Sequence, residues 1–204
     1  MPPKEKYSKE TILETAYELV RADGFEQLSA RNIAKRMGCS TQPIYSSFSS
    51  IEKLEEELVK LIKERAQKAI LEVEDDESNF LAIGLGYFGF AQAEPRLFTS
   101  MFVNGRWRWN FRKDDPFFKP ILEKMKKDKF LSKLDDEKLA ELFRDMFIYT
   151  HGLATQSHLS SEPITIDKAR ELLKKMGGIL IVSATITGTF NIEKLMRRFH
   201  GWTE

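Results

Sequence analysis

Residues 28–54 constrain the fold of this chain more tightly than any other stretch. Ser29 is a favoured helix N-cap, and Ile33, Ala34 and Met37 fall on one face of the helix it would start. Gly38 supplies the left-handed conformation that ends a helix. Ser40 reads as the next cap, and Ile44 and Phe48 as the apolar anchors of a short helix over 40–47. Ser49 with Glu52 fits the Ser-x-x-Glu capping box at the head of a further helix. Helix, tight glycine turn and second short helix together make a helix-turn-helix.

Such a unit can lay its second helix in the major groove of DNA while the first crosses the backbone. The second helix here offers Thr41, Gln42, Tyr45, Ser46 and Ser47, polar groups suited to base edges and phosphates. Pro43 falls in its first turn, where a missing N–H costs little. Between Leu28 and Ser49 the charged residues are Arg31, Lys35 and Arg36, all positive. That local surplus matters because phosphate contacts supply much of DNA affinity. Spacing alone leaves open a helical hairpin that only packs.

Ala30-Arg-Asn-Ile-Ala-Lys-Arg-Met-Gly-Cys-Ser40, followed by Ile44-Tyr45, Phe48 and Glu52-Lys-Leu54, resembles the N-terminal signature of the tetracycline-repressor (TetR-type) family of regulators. Several positions match in order, a more specific signal than a helix-turn-helix alone. The resemblance implies an all-α homodimer, with a DNA-binding domain over 1–49 and a larger ligand-binding and dimerisation domain over 50–204. The helix over 50–73 would connect them. One position departs: Ile51 stands where the family often has Lys, leaving Lys53 as the substitute phosphate contact.

The 204 residues suffice for two modest domains with buried cores. A formal net charge of +1 excludes a polybasic coating protein, so a DNA site must be a local patch. The single cysteine, Cys39, rules out an intramolecular disulfide and fits a reducing compartment. Residues 1–7 lack the apolar segment of a secretory signal. The longest apolar stretch, 179–186, is too short to cross a bilayer and contains Ser183 and Thr185. The expectation is a soluble cytoplasmic protein with no membrane partner.

Helical periodicity runs through the rest. Residues 1–7 read as an arm whose Lys4 and Lys6 can reach phosphate. Ser8 caps a first helix with Ile12, Ala16, Leu19 and Val20 on its apolar face, closed by Asp23-Gly24. The helix over 50–73 repeats Leu54, Leu58, Leu61, Ile62, Ala66 and Ile70, with Glu56–Lys60 and Lys60–Glu64 spaced for ion pairs. An acidic turn over 72–77 is the clearest break after it. Gly84, Gly86 and Gly89 interrupt an apolar helix over 80–93, each at a cost of about 1 kcal/mol relative to alanine. They call for close helix packing or for ligand space. Pro95 opens a segment with Leu97, Phe98, Met101 and Phe102, ended by Asn104-Gly105.

Residues 106–113 interleave basic and aromatic side chains. In isolation that pattern suits single-stranded nucleic acid; here it reads as a loop whose Trp107, Trp109 or Phe111 folds over a pocket. Lysines over 119–133 read as a solvated helix face. Asp135 or Asp136 caps a long helix to about His158, apolar on more than one face. A last long helix over 167–190 carries Gly177-Gly178, which permits close backbone approach, and a short closing helix covers 191–201. Phe147-Ile-Tyr-Thr-His-Gly-Leu-Ala154 is similar to an aromatic-then-His-Gly signature of one group within the same family, with Phe147 where Trp is usual. Two long apolar helices near the end fit a four-helix dimer interface, the same pair coming from each subunit.

No P-loop, dinucleotide fingerprint, nucleophile elbow or His-Glu-x-x-His is present, so nothing positive supports an enzyme or a cofactor. His151 and His158 lie on one helical face with Gln156 nearby, but no further ligands complete a metal site. The residues expected at an operator are Ser29, Arg31, Ser40, Thr41, Gln42, Ile44, Tyr45, Ser46, Ser47 and Lys53, with Gln42 foremost for base discrimination. A small apolar effector is expected among Tyr87, Phe88, Phe98, Met101, Phe102, Trp107, Phe147 and His151. It would release a repressor only by binding the DNA-incompetent state more tightly. Two alternatives stand beside this reading. One is a helical small-molecule-binding or enzymatic protein with a vestigial helix-turn-helix. The other is a DNA-binding dimer with no effector.

Overall fold

Local capping chemistry sets the register of the first three helices. A computed structural model describes residues 7–108 and 110–185. α1, Lys9–Asp23, starts where the Ser8 hydroxyl accepts a hydrogen bond from the Thr11 amide, and it ends at Gly24 with φ 91°. α2, Ala30–Met37, starts on the Ser29 hydroxyl, which accepts from the Asn32 amide, and stops at left-handed Gly38. α3, Gln42–Ser47, follows. Ile12, Ala16, Val20, Phe25, Ile33 and Ile44 are all buried, and they form the small core under these helices.

Two caps differ from the sequence reading, each by one residue. Ser40 caps nothing: Thr41 precedes α3 and provides no side-chain bond, while Pro43 occupies the first turn. α4, Ile51–Glu72, is capped by Ser50, whose hydroxyl accepts from the Lys53 amide, rather than by Ser49. The α4 ion pairs also shift. Lys60 pairs with Glu57 at 3.0 Å and Lys53 with Glu56 at 2.8 Å, both one residue closer than the i,i+4 spacing.

The larger unit is built around α5, Asn79–Ala93, which is buried along nearly its whole length between α4, α8 (Asp136–Leu159) and α9 (Ile166–Thr185). A Cβ at Gly86 would stand 2.5 Å from the Ile70 carbonyl oxygen, so this glycine serves close packing of α5 on α4. α6, Pro95–Phe98, continues into a π-helical turn, Thr99–Val103, and Gly105 ends the segment with φ 75°. α7 spans Phe118–Lys126 and is shorter than the lysine-rich stretch suggested. Asp135 caps α8, accepting from the Lys138 amide at 2.9 Å.

Two polar residues of the 119–133 stretch do structural work rather than facing water. Lys124 donates to the Leu71 and Val73 carbonyls at 2.8 and 2.5 Å, closing the C-terminal end of α4. Burial lowers the pKa of its ammonium group. Asp128, 1% exposed, accepts from the Ser78 hydroxyl at 2.6 Å and the Phe80 amide at 3.0 Å, which holds the N-terminal end of α5. Asp75, in the acidic turn, is ion-paired with Arg170 of α9. Among the described residues there is no strand, and no helix is long and apolar enough to cross a membrane. The expected arm over 1–6, Trp109, the end of the last long helix beyond 185 and the closing helix over 191–201 lie outside the described residues.

Candidate nucleic-acid interface and aromatic chamber

A short helix can present one face outward only if another is firmly held. Ile44 of α3 is 1% exposed and Phe48, at its C-cap, is 4% exposed, and these two side chains hold α3 against α1 and α2. Thr41, Gln42, Tyr45 and Ser46 are thereby turned to solvent, with the Tyr45 phenol 54% exposed. Ser40 is also exposed and Ser47 half-buried. Ile44 is the correction: a side chain this deeply buried cannot reach a base, so its role is to anchor the helix.

The surrounding charges divide. Arg31 and Lys35 are exposed, with no acidic partner among the described residues. Arg36 is held by Asp23 at 3.1 Å. Lys53 is bound to Glu56, but both are well exposed, so the pair adds little stability and yields readily to a phosphate. The fold brings Lys9 beside the end of α3, its ammonium 5.2 Å from the centre of the Phe48 ring. Nothing in the local pattern of α1 marks that lysine, because its neighbour comes from a different helix.

Three arginines join the helix-turn-helix to the larger unit. Arg21 of α1 binds Glu94 at the junction of α5 and α6, with contacts of 2.7–2.9 Å. Arg65 of α4 reaches Glu14 and lies 4.0 Å over the Tyr17 ring. Arg106, after the π turn, donates to Glu55 at 3.2 Å and stacks 4.4 Å over Phe25.

Six of the eight expected effector residues are joined by ring contacts in the larger unit. Tyr87 meets the rings of Phe98, Phe102 and Phe147 edge-on at 5.8, 5.7 and 5.3 Å. Its hydroxyl is 2.9 Å from His151 Nδ1. Burial pushes the Tyr87 hydroxyl far above the usual phenol value and lowers the His151 imidazole, so both groups are held neutral in this hydrogen bond. Trp107 packs on Phe102 and Phe117 at 4.8 and 4.1 Å. Met101 is fully buried. Phe88 is also fully buried but makes no ring contact with the others among the described residues. The His151 and His158 imidazoles lie 5.6 and 5.3 Å from the Phe98 ring.

A cavity of about 20 Å³, the room of roughly one water, adjoins this cluster, and of the expected residues Tyr87 and Phe147 line it. Residues that sequence reasoning missed, including Ile70, Ile83, Ile121 and Thr150, complete the wall.

Residues 12–58 match the family model for bacterial regulatory proteins, tetR family. The N-terminal domain is that of the tetR family. The fold of the whole chain agrees. A tetR-family transcriptional regulator from Streptomyces coelicolor is 14% identical, with a TM-score of 0.62 over 98% of this chain and 97% of that one. A TetR family transcription regulator from Marinobacter aquaeolei VT8 is 18% identical, with a TM-score of 0.61 over 88% and 98%. No curated protein matches the chain significantly by sequence. The tetR-type helix-turn-helix is a DNA-binding unit of transcription regulation, and α2 and α3 supply it here.

Proposed function

We propose that the chain is a ligand-responsive transcriptional repressor that binds a pseudo-palindromic operator as a homodimer and is released by a small apolar effector. The outward polar face of α3, held by buried Ile44 and Phe48, carries this reading. Gln42 discriminates bases, while Thr41, Tyr45 and Ser46 flank it in the major groove. Ser29, Arg31, Ser40, Ser47 and Lys53 fix register on phosphates, with Lys9 and Lys35 added to that set. The domains divide at 49–50, and α4 links the reading head to the chamber.

Dimerisation through α8 and α9 is supported by exposed apolar side chains on both helices. Ile148 and Leu159 on α8 are 65% and 77% exposed, and Ile179 and Val182 on α9 are each 56% exposed. Gly152 and Gly178 leave open space where a partner helix can approach. A cavity of about 20 Å³ takes an effector only if side chains move, and its size also favours a second reading in which DNA binding needs no effector. A gel shift against duplexes selected from a random pool tests the main proposal. Wild type is expected to retard selected DNA and the Gln42→Ala protein to lose the preference; failure of wild type to enrich any sequence would refute it.

A further inference from the structure

The surface holds a second space beside the chamber. A pocket of about 230 Å³ opens between α5, the turn over 127–134 and α9. Phe80 and Met146 line both this pocket and the internal cavity, so those two side chains are the partition between them. Both are nearly fully buried. Met is unbranched and easily repacked, which makes it the movable half of that partition. Opposite stands Gly177, one of the paired glycines of α9: a Cβ there would lie 3.8 Å from Phe80 and 3.9 Å from Met146. The missing side chain leaves the partition room to open.

The chemistry on the two sides differs. Behind the partition the wall is hydrocarbon, and its polar groups are already bonded: the Thr150 hydroxyl donates to the Met146 carbonyl at 2.8 Å and the Tyr87 hydroxyl meets His151. A polar or charged group moved there would lose its water without compensation. At the outer rim stand Lys129 and Lys174 against one carboxylate, Glu77, which is 2.5 Å from Lys174. That pair is exposed and easily exchanged. The Asp128 carboxylate is turned inward onto Ser78 and Phe80. Phe130, 54% exposed with Lys129 5.0 Å over its ring, adds an apolar lip.

We propose that this pocket is the entrance to the chamber and that it admits a chain-like carboxylate, the apolar tail passing Phe80 and Met146 while the head stays between Lys129 and Lys174. The inference rests on the effector reading above and names its ligand class. The pocket is lined by the α5 side of α9; Ile179 and Val182 of the proposed dimer face are not among its walls, and Gly178 borders both.

Calorimetry with decanoate and with decyltrimethylammonium, using the full chain, tests it. Decanoate is expected to bind saturably and the cation about tenfold more weakly or worse. The Lys129→Glu/Lys174→Glu protein, altered only at exposed positions, is expected to reverse that order. Gly177→Leu is expected to abolish decanoate binding while thermal unfolding and DNA retardation persist. Should Gly177→Leu fail to fold, the charge reversal decides alone. Equal binding of both probes, no binding of decanoate, or an unchanged order after charge reversal would overturn the proposal. If wild type retards selected DNA but ignores decanoate, the entrance fails by itself; if it retards no DNA, the regulator reading fails whatever calorimetry gives.

Discussion

The reading head and the aromatic chamber put their polar groups to opposite uses. In the head, apolar anchors such as Ile44 and Phe48 point inward, leaving Gln42, Tyr45 and Ser46 facing water. In the chamber, Tyr87 and His151 meet each other among rings, beside a cavity of about 20 Å³. On the proposed reading, the head binds without rearranging, whereas an effector enters this cavity only by moving side chains, and a site that has to move is one that can transmit a signal.

That contrast can be broken from either side. The largest effect is expected at Ile44, where Ile44→Ala should cost about 2–5 kcal/mol in a denaturant titration and weaken selected and random DNA alike. A protein of unchanged stability would mean that Ile44 is not an anchor. In the chamber domain, Gly86→Ala drives a methyl group onto the Ile70 carbonyl and should cost about 1–3 kcal/mol by the same titration.

Gln42→Ala should leave the unfolding midpoint alone and forfeit about 1–3 kcal/mol on selected DNA, with random DNA bound as before. Lys53→Ala should weaken every sequence equally and reduce the salt slope by about one. Equal losses at Gln42 on both kinds of DNA would remove it from base reading.

The smallest effect is one of pH. Burial lowers the His151 pKa from its ordinary value of 6.5, so the folded protein resists protonating a ring that the unfolded chain protonates freely. Stability from this group is complete above 6.5 and is lost as the pH falls through the lower folded value. Urea midpoints measured above and below that value should show a loss in wild type that shrinks in His151→Gln. An identical decline in both proteins would place the effect elsewhere.

What the sequence disclosed follows the range of the forces involved. Ser8, Ser29 and Gly38 act on their own or adjacent turns, and each cap was legible; at α8 the sequence offered Asp135 or Asp136, and Asp135 is the cap. Where adjacent residues offer the same oxygen, as at Ser49 and Ser50, tertiary packing chose between them. Ile44 carried two incompatible expectations, anchor and base contact, and a six-residue helix settles that by burying it. Asp128 and Lys124 looked like surface charge because their partners, Ser78, Phe80, Leu71 and Val73, lie far back along the chain. The aromatic cluster was visible as residue types. Its closure was not, since free volume depends on how three long helices pack.

The most direct test is the stoichiometry and preference of DNA binding, read by fluorescence anisotropy on a selected duplex and a scrambled one at matched salt. Two chains per selected duplex, bound about 10³-fold or more tighter than the scrambled sequence, is the result this account requires. One chain per duplex, or equal affinity for both, would contradict it.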